Sequence, residues 1–147
     1  MKQAKLFLVA LMCMLMKTVV CNAFGDMLIP ASQLPAAART FVQKKFPGNK
    51  SMYVQRDGLI FYTYDVRLDN GVEIDFDRSG NWDKVDCQYT AVPASIIPAP
   101  IASYVKVNFP QMPITKIDKK IYGYSVELSD EFELKFTSNG MLLFMDD

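Results

Sequence analysis

The sequence predicts an α+β domain in which one helix and about four antiparallel strands occur twice and form one long antiparallel sheet with the helices on one face. Two observations in the 147-residue chain support this fold class. Two pairs of segments resemble each other in the same order, which indicates an internal repeat. In each repeat, a segment of helical periodicity comes first and segments of strand alternation follow it.

The internal repeat defines the domain organisation. Residues 29–47 align with residues 92–110 at an offset of 63, with eight identical positions among nineteen. Residues 64–80 align with residues 124–140 at an offset of 60, with six identities among seventeen. The offset changes between the two blocks, where a loop can absorb three residues. We therefore expect a tandem duplication within one domain of residues 24–147, with repeats over 29–90 and 91–147.

Each repeat is predicted to open with an amphipathic helix. Pro35 and Pro98 suit the first helical turn, where a missing N–H costs nothing. Phe46 and Phe109 each precede a proline, which disfavours helical backbone angles and ends the helix. Apolar residues recur at spacings of three and four between these limits. In the two repeats these stripes are Leu34, Ala38, Phe41, Val42 and the stem of Lys45, and then Ile97, Ile101, Tyr104, Val105 and Asn108.

Alternating segments after each helix predict β-hairpins with one apolar and one polar face. The apolar positions are Tyr62, Tyr64, Val66, Leu68, Val72, Ile74 and Phe76 in the first repeat, and Tyr122, Tyr124, Val126, Leu128, Phe132, Leu134 and Phe136 in the second. A weaker strand is expected before each hairpin, near Ser51–Arg56 and Ile114–Asp118.

The alternation also predicts the turn geometry. A three-residue loop of residues 69–71, with Gly71 in the left-handed conformation, keeps Leu68 and Val72 on one face. The second repeat has Glu131 at the equivalent position, so its turn is expected to differ or to carry strain.

The first 23 residues are predicted to be a signal peptide. Lys2 and Lys5 precede an apolar run of eleven residues, and Ala23 suits the position before cleavage. Lys17 ends the run short of the ~20 residues that a membrane-spanning helix needs. We therefore expect a periplasmic or secreted protein with no transmembrane segment after cleavage. The alternative is a lipoprotein acylated at Cys21.

The composition argues against several classes of function. The chain has no histidine, and cleavage after Ala23 leaves a formal charge of −3 without a basic cluster, so a nucleic-acid partner is not expected. Cys87 is the only cysteine after residue 23, so it has no disulfide partner in the chain, and we expect it to be a small, half-buried hydrophobic residue. The carboxylates of the polar face are expected to be open to water, without desolvation to raise their pKa values. The sequence therefore predicts neither an enzyme nor a cofactor.

Residues 75–86, DFDRSGNWDKVD, match the spacing of an EF-hand calcium loop at several positions. However, an EF-hand needs flanking helices, and the residues before this segment alternate as a strand. Residues 78–80 are better interpreted as a three-residue hairpin turn, which pairs Phe76 with Trp82. In the second repeat Lys135, Thr137 and Met141 replace would-be ligands. A small-ligand or calcium site near Asp75–Asp86 remains an alternative function.

The repeated pattern resembles the PepSY-like family of periplasmic proteins, whose fold is similar to that of the β-lactamase inhibitory protein. The matching segments are Leu34-Pro35, Phe46-Pro47, residues 64–68, residues 71–76 and residues 80–82, with their counterparts in the second repeat. The resemblance covers nearly all of residues 29–147. It implies a tandem unit of a helix and four strands in one long sheet (a BLIP-like fold) and a non-catalytic binding or inhibitor-like role.

The polar sheet face is the predicted partner-binding surface, together with aromatic residues that the alternation does not place clearly in the core. The candidate residues are Tyr53, Phe61, Asp65, Arg67, Glu73, Asp75, Trp82, Glu127, Glu133 and Lys135. The expected partner is a protein, such as an envelope peptidase or another enzyme. The alternative is an ordinary solvated face, since alternation alone requires polar residues there.

Overall fold

In the computed structural model, which describes residues 26–146, each helix leads into a run of four strands. The predicted signal peptide of residues 1–23, with Cys21, lies outside these residues. The first run consists of β1 (Met27–Leu28), a 3₁₀ turn (Ala31–Gln33), α1 (Ala36–Lys45), β2 (Ser51–Asp57), β3 (Thr63–Leu68), β4 (Glu73–Phe76) and β5 (Trp82–Asp86). The second run consists of α2 (Ala99–Asn108), β6 (Ile114–Lys120), β7 (Gly123–Leu128), β8 (Glu133–Thr137) and β9 (Leu142–Asp146).

The nine strands of the described region form one antiparallel sheet in chain order, each strand pairing with the next. The predicted α+β class, with a large antiparallel sheet and two helices, is therefore confirmed. The succession of one helix and four strands occurs twice in the described residues. Its origin by tandem duplication remains a prediction. Strand β1 was not predicted, because two residues are too few to show alternation.

A continuous row of apolar residues crosses the sheet and forms its buried face. Cross-strand pairing places these residues side by side on eight successive strands, in the order Val54, Val66, Ile74, Val85, Ile117, Val126, Leu134 and Met145. The six inner members of this row are almost fully buried. Burying a side chain of this size contributes roughly 1.5–3 kcal/mol, so this row is a main source of stability.

Both helices cover this buried face at equivalent places. The ring of Phe41 in α1 packs edge-on against Phe76, with centroids 5.7 Å apart, and Tyr104 in α2 packs against Phe136 at 5.5 Å. Pro35 and Pro98 lie directly before the first helical residue, where each helix begins. Tyr64 is buried as expected, whereas Tyr122 is exposed because the sheet ends there and the chain turns.

The first predicted turn forms as expected. The N–H of Gly71 donates to the carbonyl of Leu68, and the N–H of Leu68 donates to the carbonyl of Val72, at 3.0 and 2.9 Å. Gly71 has a φ of 88°. The second repeat uses the same hydrogen bonds with Glu131 at a φ of 69°, which is the strained alternative of the two expected.

The turns after β4 and β8 also contact the helices. Gly80 has a φ of 87° and lies so close to α1 that an added Cβ would be 2.8 Å from Pro35 Cβ and 2.9 Å from Ala38 N. At Gly140, an added Cβ would lie 2.5 Å from Pro100 Cβ at the start of α2. At both positions glycine is required for two reasons: the turn needs a positive φ, and the nearby helix leaves no room for a Cβ.

We predict that Gly80→Ala is more destabilising than Gly71→Ala, although the two glycines share nearly the same φ. The Gly71 position has open space around it, so its alanine variant should lose only the backbone term of about 1–2 kcal/mol. Gly80→Ala adds a clash with α1, which should cost about 1–3 kcal/mol more. Urea unfolding of both variants measures the difference, and equal losses would contradict the helix contact.

Candidate functional site: the open face and its hairpin tip

The face of the sheet opposite the helices carries two long rows of mostly polar side chains, and we call this surface the open face. Pairing gives one row of Gln55, Asp65, Asp75, Lys84, Asp118, Ser125, Lys135 and Phe144. The other row is Tyr53, Arg67, Glu73, Asp86, Lys116, Glu127, Glu133 and Asp146. Since side chains alternate along a strand, burial of one face forces these residues onto the other.

Ion pairs link neighbouring strands across the open face. Lys84 pairs with Asp75 at 3.7 Å and Lys116 with Glu127 at 3.4 Å, while Arg67 pairs with Glu73. Partly exposed pairs of this kind each contribute about 0–1 kcal/mol, so they organise the surface more than they stabilise it.

The open face nevertheless remains acidic. Its strand residues include the carboxylates Asp57, Asp65, Glu73, Asp75, Asp86, Asp118, Glu127, Glu133 and Asp146 against the cations Arg67, Lys84, Lys116, Lys120 and Lys135. Nine acids against five bases give the surface a negative field, which attracts positively charged partners.

The expectation that carboxylates of this face escape desolvation is wrong for two of them. Asp65 and Asp75 lie directly opposite each other on β3 and β4 and are only partly exposed. Burial raises the pKa of Asp65, and the nearby carboxylates of Asp75 and Glu73 raise it further. Burial also raises the pKa of Asp75, although Lys84 opposes the shift. The cause is crowding by long side chains on adjacent strands, which single-strand alternation does not reveal.

Asp77 behaves in the opposite way because it caps the turn. Its carboxylate accepts hydrogen bonds from the backbone N–H groups of Ser79 and Asn81 and from the side-chain amide of Asn81, at 2.8–2.9 Å. Partial burial raises the pKa of Asp77, but these hydrogen bonds outweigh it and the net shift is downward. Asp77, which belongs to the segment that matches the calcium-loop spacing, therefore holds a β-turn together.

An exposed apolar tip joins β2 to β3 at one end of the sheet; we call residues 58–62 the hairpin tip. Leu59 and Ile60 are each 74% exposed and Phe61 is 93% exposed. At its base, the ring of Tyr62 lies against the guanidinium groups of Arg56 and Arg78, at 5.1 and 5.3 Å. These cation–π contacts hold the tip in place while its apolar side chains point into solvent.

The structure brings together most of the candidate residues, but not all of them. Tyr53, Asp65, Arg67, Glu73, Asp75, Glu127, Glu133 and Lys135 lie on the open face, and Phe61 lies in the hairpin tip. Trp82 does not join them, because it pairs with Phe76, as the turn at residues 78–80 predicts, and therefore lies on the helix side. There its ring packs 6.3 Å from Phe41 and lies under the ammonium of Lys119 at 4.0 Å.

Sequence reasoning missed several residues of this surface. Lys84, Lys116 and Asp118 occupy central open-face positions, and their alternation with Val85 and Ile117 was the available signal. Leu59 and Ile60 were missed because apolar residues in a loop give no periodic pattern.

No catalytic arrangement is evident in the described part of the chain. Residues 26–146 contain no group of three or more His, Cys, Asp or Glu side chains able to hold a metal ion. Cys87 is buried, and burial raises the pKa of its thiol to about 11, so the nucleophilic thiolate is scarce at neutral pH. Among these residues, no helix is long and apolar enough to span a membrane.

A family model described as "Putative beta-lactamase-inhibitor-like, PepSY-like" matches residues 25–63 and 62–143. The chain belongs to this PepSY-like family. A search of curated proteins gives no match. The family assignment is in accord with the resemblance seen in the repeated sequence pattern.

Solved structures of similar proteins share the fold of this chain. One is described as "a putative periplasmic protein of unknown function" from Bacteroides vulgatus; it is 32% identical, has a TM-score of 0.80 and is matched over 84% of this chain and 100% of its own. Another is "a putative calcium-regulated periplasmic protein" from Bacteroides thetaiotaomicron, at 35% identity and a TM-score of 0.81, matched over 86% and 100%. A second Bacteroides vulgatus protein, also described as a putative periplasmic protein, matches at 35% identity and 0.80 over the same shares.

We predict that Asp65→Asn stabilises the protein at pH 7. Because the folded-state pKa of Asp65 is raised, ionisation opposes folding, and the penalty is absent below the ordinary pKa and grows as the pH rises through the folded pKa. The gain should be about 0.2–1 kcal/mol, typical of a like-charge cross-strand pair, and should disappear near pH 3. Thermal melts across pH 3–8 measure it.

Asp77→Asn is the matched control with the opposite sign. The pKa of Asp77 is lowered, so its charged form stabilises the fold, and this stability is lost as the pH falls through the folded pKa. The variant should therefore lower the melting temperature at pH 7. A gain from Asp65→Asn that persists at pH 3 would contradict the electrostatic origin.

Proposed function

We propose that this PepSY-like chain is a non-catalytic, exported protein-binding module of the inhibitor-like type, which docks its partner on the open face and the hairpin tip. The observation that carries the proposal is the tip itself: three consecutive apolar side chains held in solvent by a cation–π base. Consecutive exposed apolar residues lower the solubility of a protein. Such runs therefore typically mark a surface that binds a partner.

The tip and the open face offer the two parts of a protein interface. Phe61 supplies a large aromatic anchor, which is a residue type enriched at interface centres. The open face supplies polar and charged groups for a rim, with Tyr53 partly exposed at the end of one row. The two parts are connected, since Asp57 and Thr63 flank the tip on β2 and β3.

The charge of the open face indicates the nature of the partner. An excess of carboxylates favours a protein that presents lysine or arginine, and complementary charge raises the association rate. Binding should therefore weaken with increasing salt, because exposed charges are screened beyond about 8–10 Å at physiological ionic strength.

The proposal also includes the origin of the fold and the location of the protein in the cell. We propose a tandem duplication with a BLIP-like arrangement, supported by the repeated succession of elements and by the family description. We also propose export to the periplasm after cleavage of residues 1–23, supported by the description of three relatives as periplasmic. The inhibitor-like description of the family supports a non-enzymatic role.

We predict that Phe61→Ala weakens partner binding about tenfold or more, since removing an interface aromatic anchor commonly costs at least that much. The purified chain without residues 1–23 is immobilised, proteins from a periplasmic extract of the producing bacterium are captured, and each is identified by mass spectrometry. The captured partner is then titrated in solution against wild type and variants.

Val107→Ala is the matched control, because Val107 is also an exposed apolar residue but lies on α2. It should leave the affinity unchanged. Glu127→Lys should weaken binding through the open face and reduce its salt dependence. A partner that binds all three variants as tightly as wild type would refute the proposed surface.

Calcium binding near Asp75–Asp86 is the second candidate function. It is favoured by the description of one relative as calcium-regulated and by the adjacent carboxylates of Asp65 and Asp75. The geometry is not that of an EF-hand, because residues 75–86 form a hairpin of β4 and β5. Any such site would use side chains on the sheet surface.

We predict, for this candidate, that calcium raises the melting temperature and shows saturable heat in calorimetric titration, since a ligand of the native state stabilises it. Asp75→Asn should abolish both effects, whereas Asp130→Asn, in an exposed turn, should leave them intact. Magnesium serves as the ion control. A melting temperature unmoved by millimolar calcium would exclude the second candidate and leave the first untouched.

A further inference from the structure

Strand β9 occupies in the second run the place that β5 occupies in the first. Each follows a three-residue turn closed by a glycine and pairs with the strand before it. Val85 in β5 is fully buried and pairs onward with Ile117 of β6. Met145, at the equivalent position of β9, is 48% exposed. Among residues 26–146, no strand pairs with the outer side of β9.

The side chains of β9 are mostly apolar, as in a strand that pairs with a neighbour on both sides. In the open-face row that runs from Gln55 to Phe144, strands β2 to β8 each contribute a polar residue. Strand β9 instead contributes Phe144, which is 55% exposed. Leu143 is 54% exposed, and Asp146, the last residue of β9, is the only charged residue in this strand. Exposed edge strands normally carry lysine, proline or a short length to prevent pairing.

The opposite edge of the sheet is protected in that manner. Strand β1 has only two residues, and the N–H of Ile29 directly after it donates to the carbonyl of Val54 at 3.0 Å. Ile29 is also packed against the core. The contrast places the capacity for strand addition at β9 alone among the described strands.

We propose that β9 pairs antiparallel with β9 of a second copy of this chain, with the two-fold axis beside Met145. This register extends the buried apolar row by bringing the two Met145 side chains together. On the open face it sets Asp146 of the second copy beside Phe144, where the Lys135 ammonium already lies over the ring at 5.6 Å. The Lys135 ammonium, which pairs with Glu133 of its own copy at 3.2 Å, then also faces Asp146 of the other copy across the Phe144 ring, which is charge-complementary.

Pairing of this kind closes at two copies. An isologous contact uses the same strand of both molecules, and the two-residue edge at β1 is too short to continue the sheet. The product is one continuous sheet in which the open faces of the two copies lie on the same side. Each copy contributes one hairpin tip. A foreign strand could add to the same edge, but a second copy satisfies both the apolar surface and the charge pattern.

Sedimentation equilibrium of the chain without residues 1–23, from micromolar to millimolar concentration, tests the proposal. Wild type should show a monomer–dimer equilibrium, and Met145→Lys should weaken the dimer by about tenfold or more, since it sets two like charges against each other at the two-fold axis. Val107→Lys, an equal change on the exposed surface of α2, should leave the equilibrium unchanged. A wild-type monomer throughout, or a dimer that Met145→Lys does not weaken, would overturn the proposal.

Amide hydrogen exchange of the wild-type protein provides a measurement that does not depend on a variant's folding. Protection in residues 142–146 should increase with protein concentration, while protection in β1 should not change. Protection of β9 that is independent of concentration would also overturn the proposal.

Discussion

The burial of one sheet face under two helices is the constraint on which the other features depend. The apolar row from Val54 to Met145 continues without a break across eight strands. A slip of one residue in any strand would send its apolar residues into solvent and its charges into the core. The register thereby determines which side chains meet on the open face, although none of those side chains contributes much stability itself.

The helices also act on the sheet through its turns. Gly80 and Gly140 let the start of each helix approach the turn that follows β4 or β8. Phe76 of β4 and Phe136 of β8 pack against the same helices, so helix, turn and strand are positioned together. The hairpin tip is attached to the same rigid body by Tyr62, and its exposed side chains are presented on a fixed base.

Local features of this fold could be predicted from the sequence, and non-local ones could not. Helix limits at Pro35 and Phe46, and the turn at Gly71, depend on backbone preferences of neighbouring residues. The pairing of Lys84 with Asp118 joins residues 34 positions apart, so no periodicity reports it. The crowding that raises the pKa of Asp65 is equally non-local, since it involves residues on three adjacent strands.

The same distinction applies to the candidate binding surface, of which the sequence indicated only a part. Polar alternation indicated the open face, but an ordinary solvated sheet has the same alternation. What separates the two interpretations is apolar surface where solvent should be, at the hairpin tip and along β9, and neither place has a periodic signature. Both depart from what folding alone requires, because Leu59, Phe61 and Phe144 gain nothing from exposure. Residues that cost the isolated domain solubility are therefore the best guide to what it contacts.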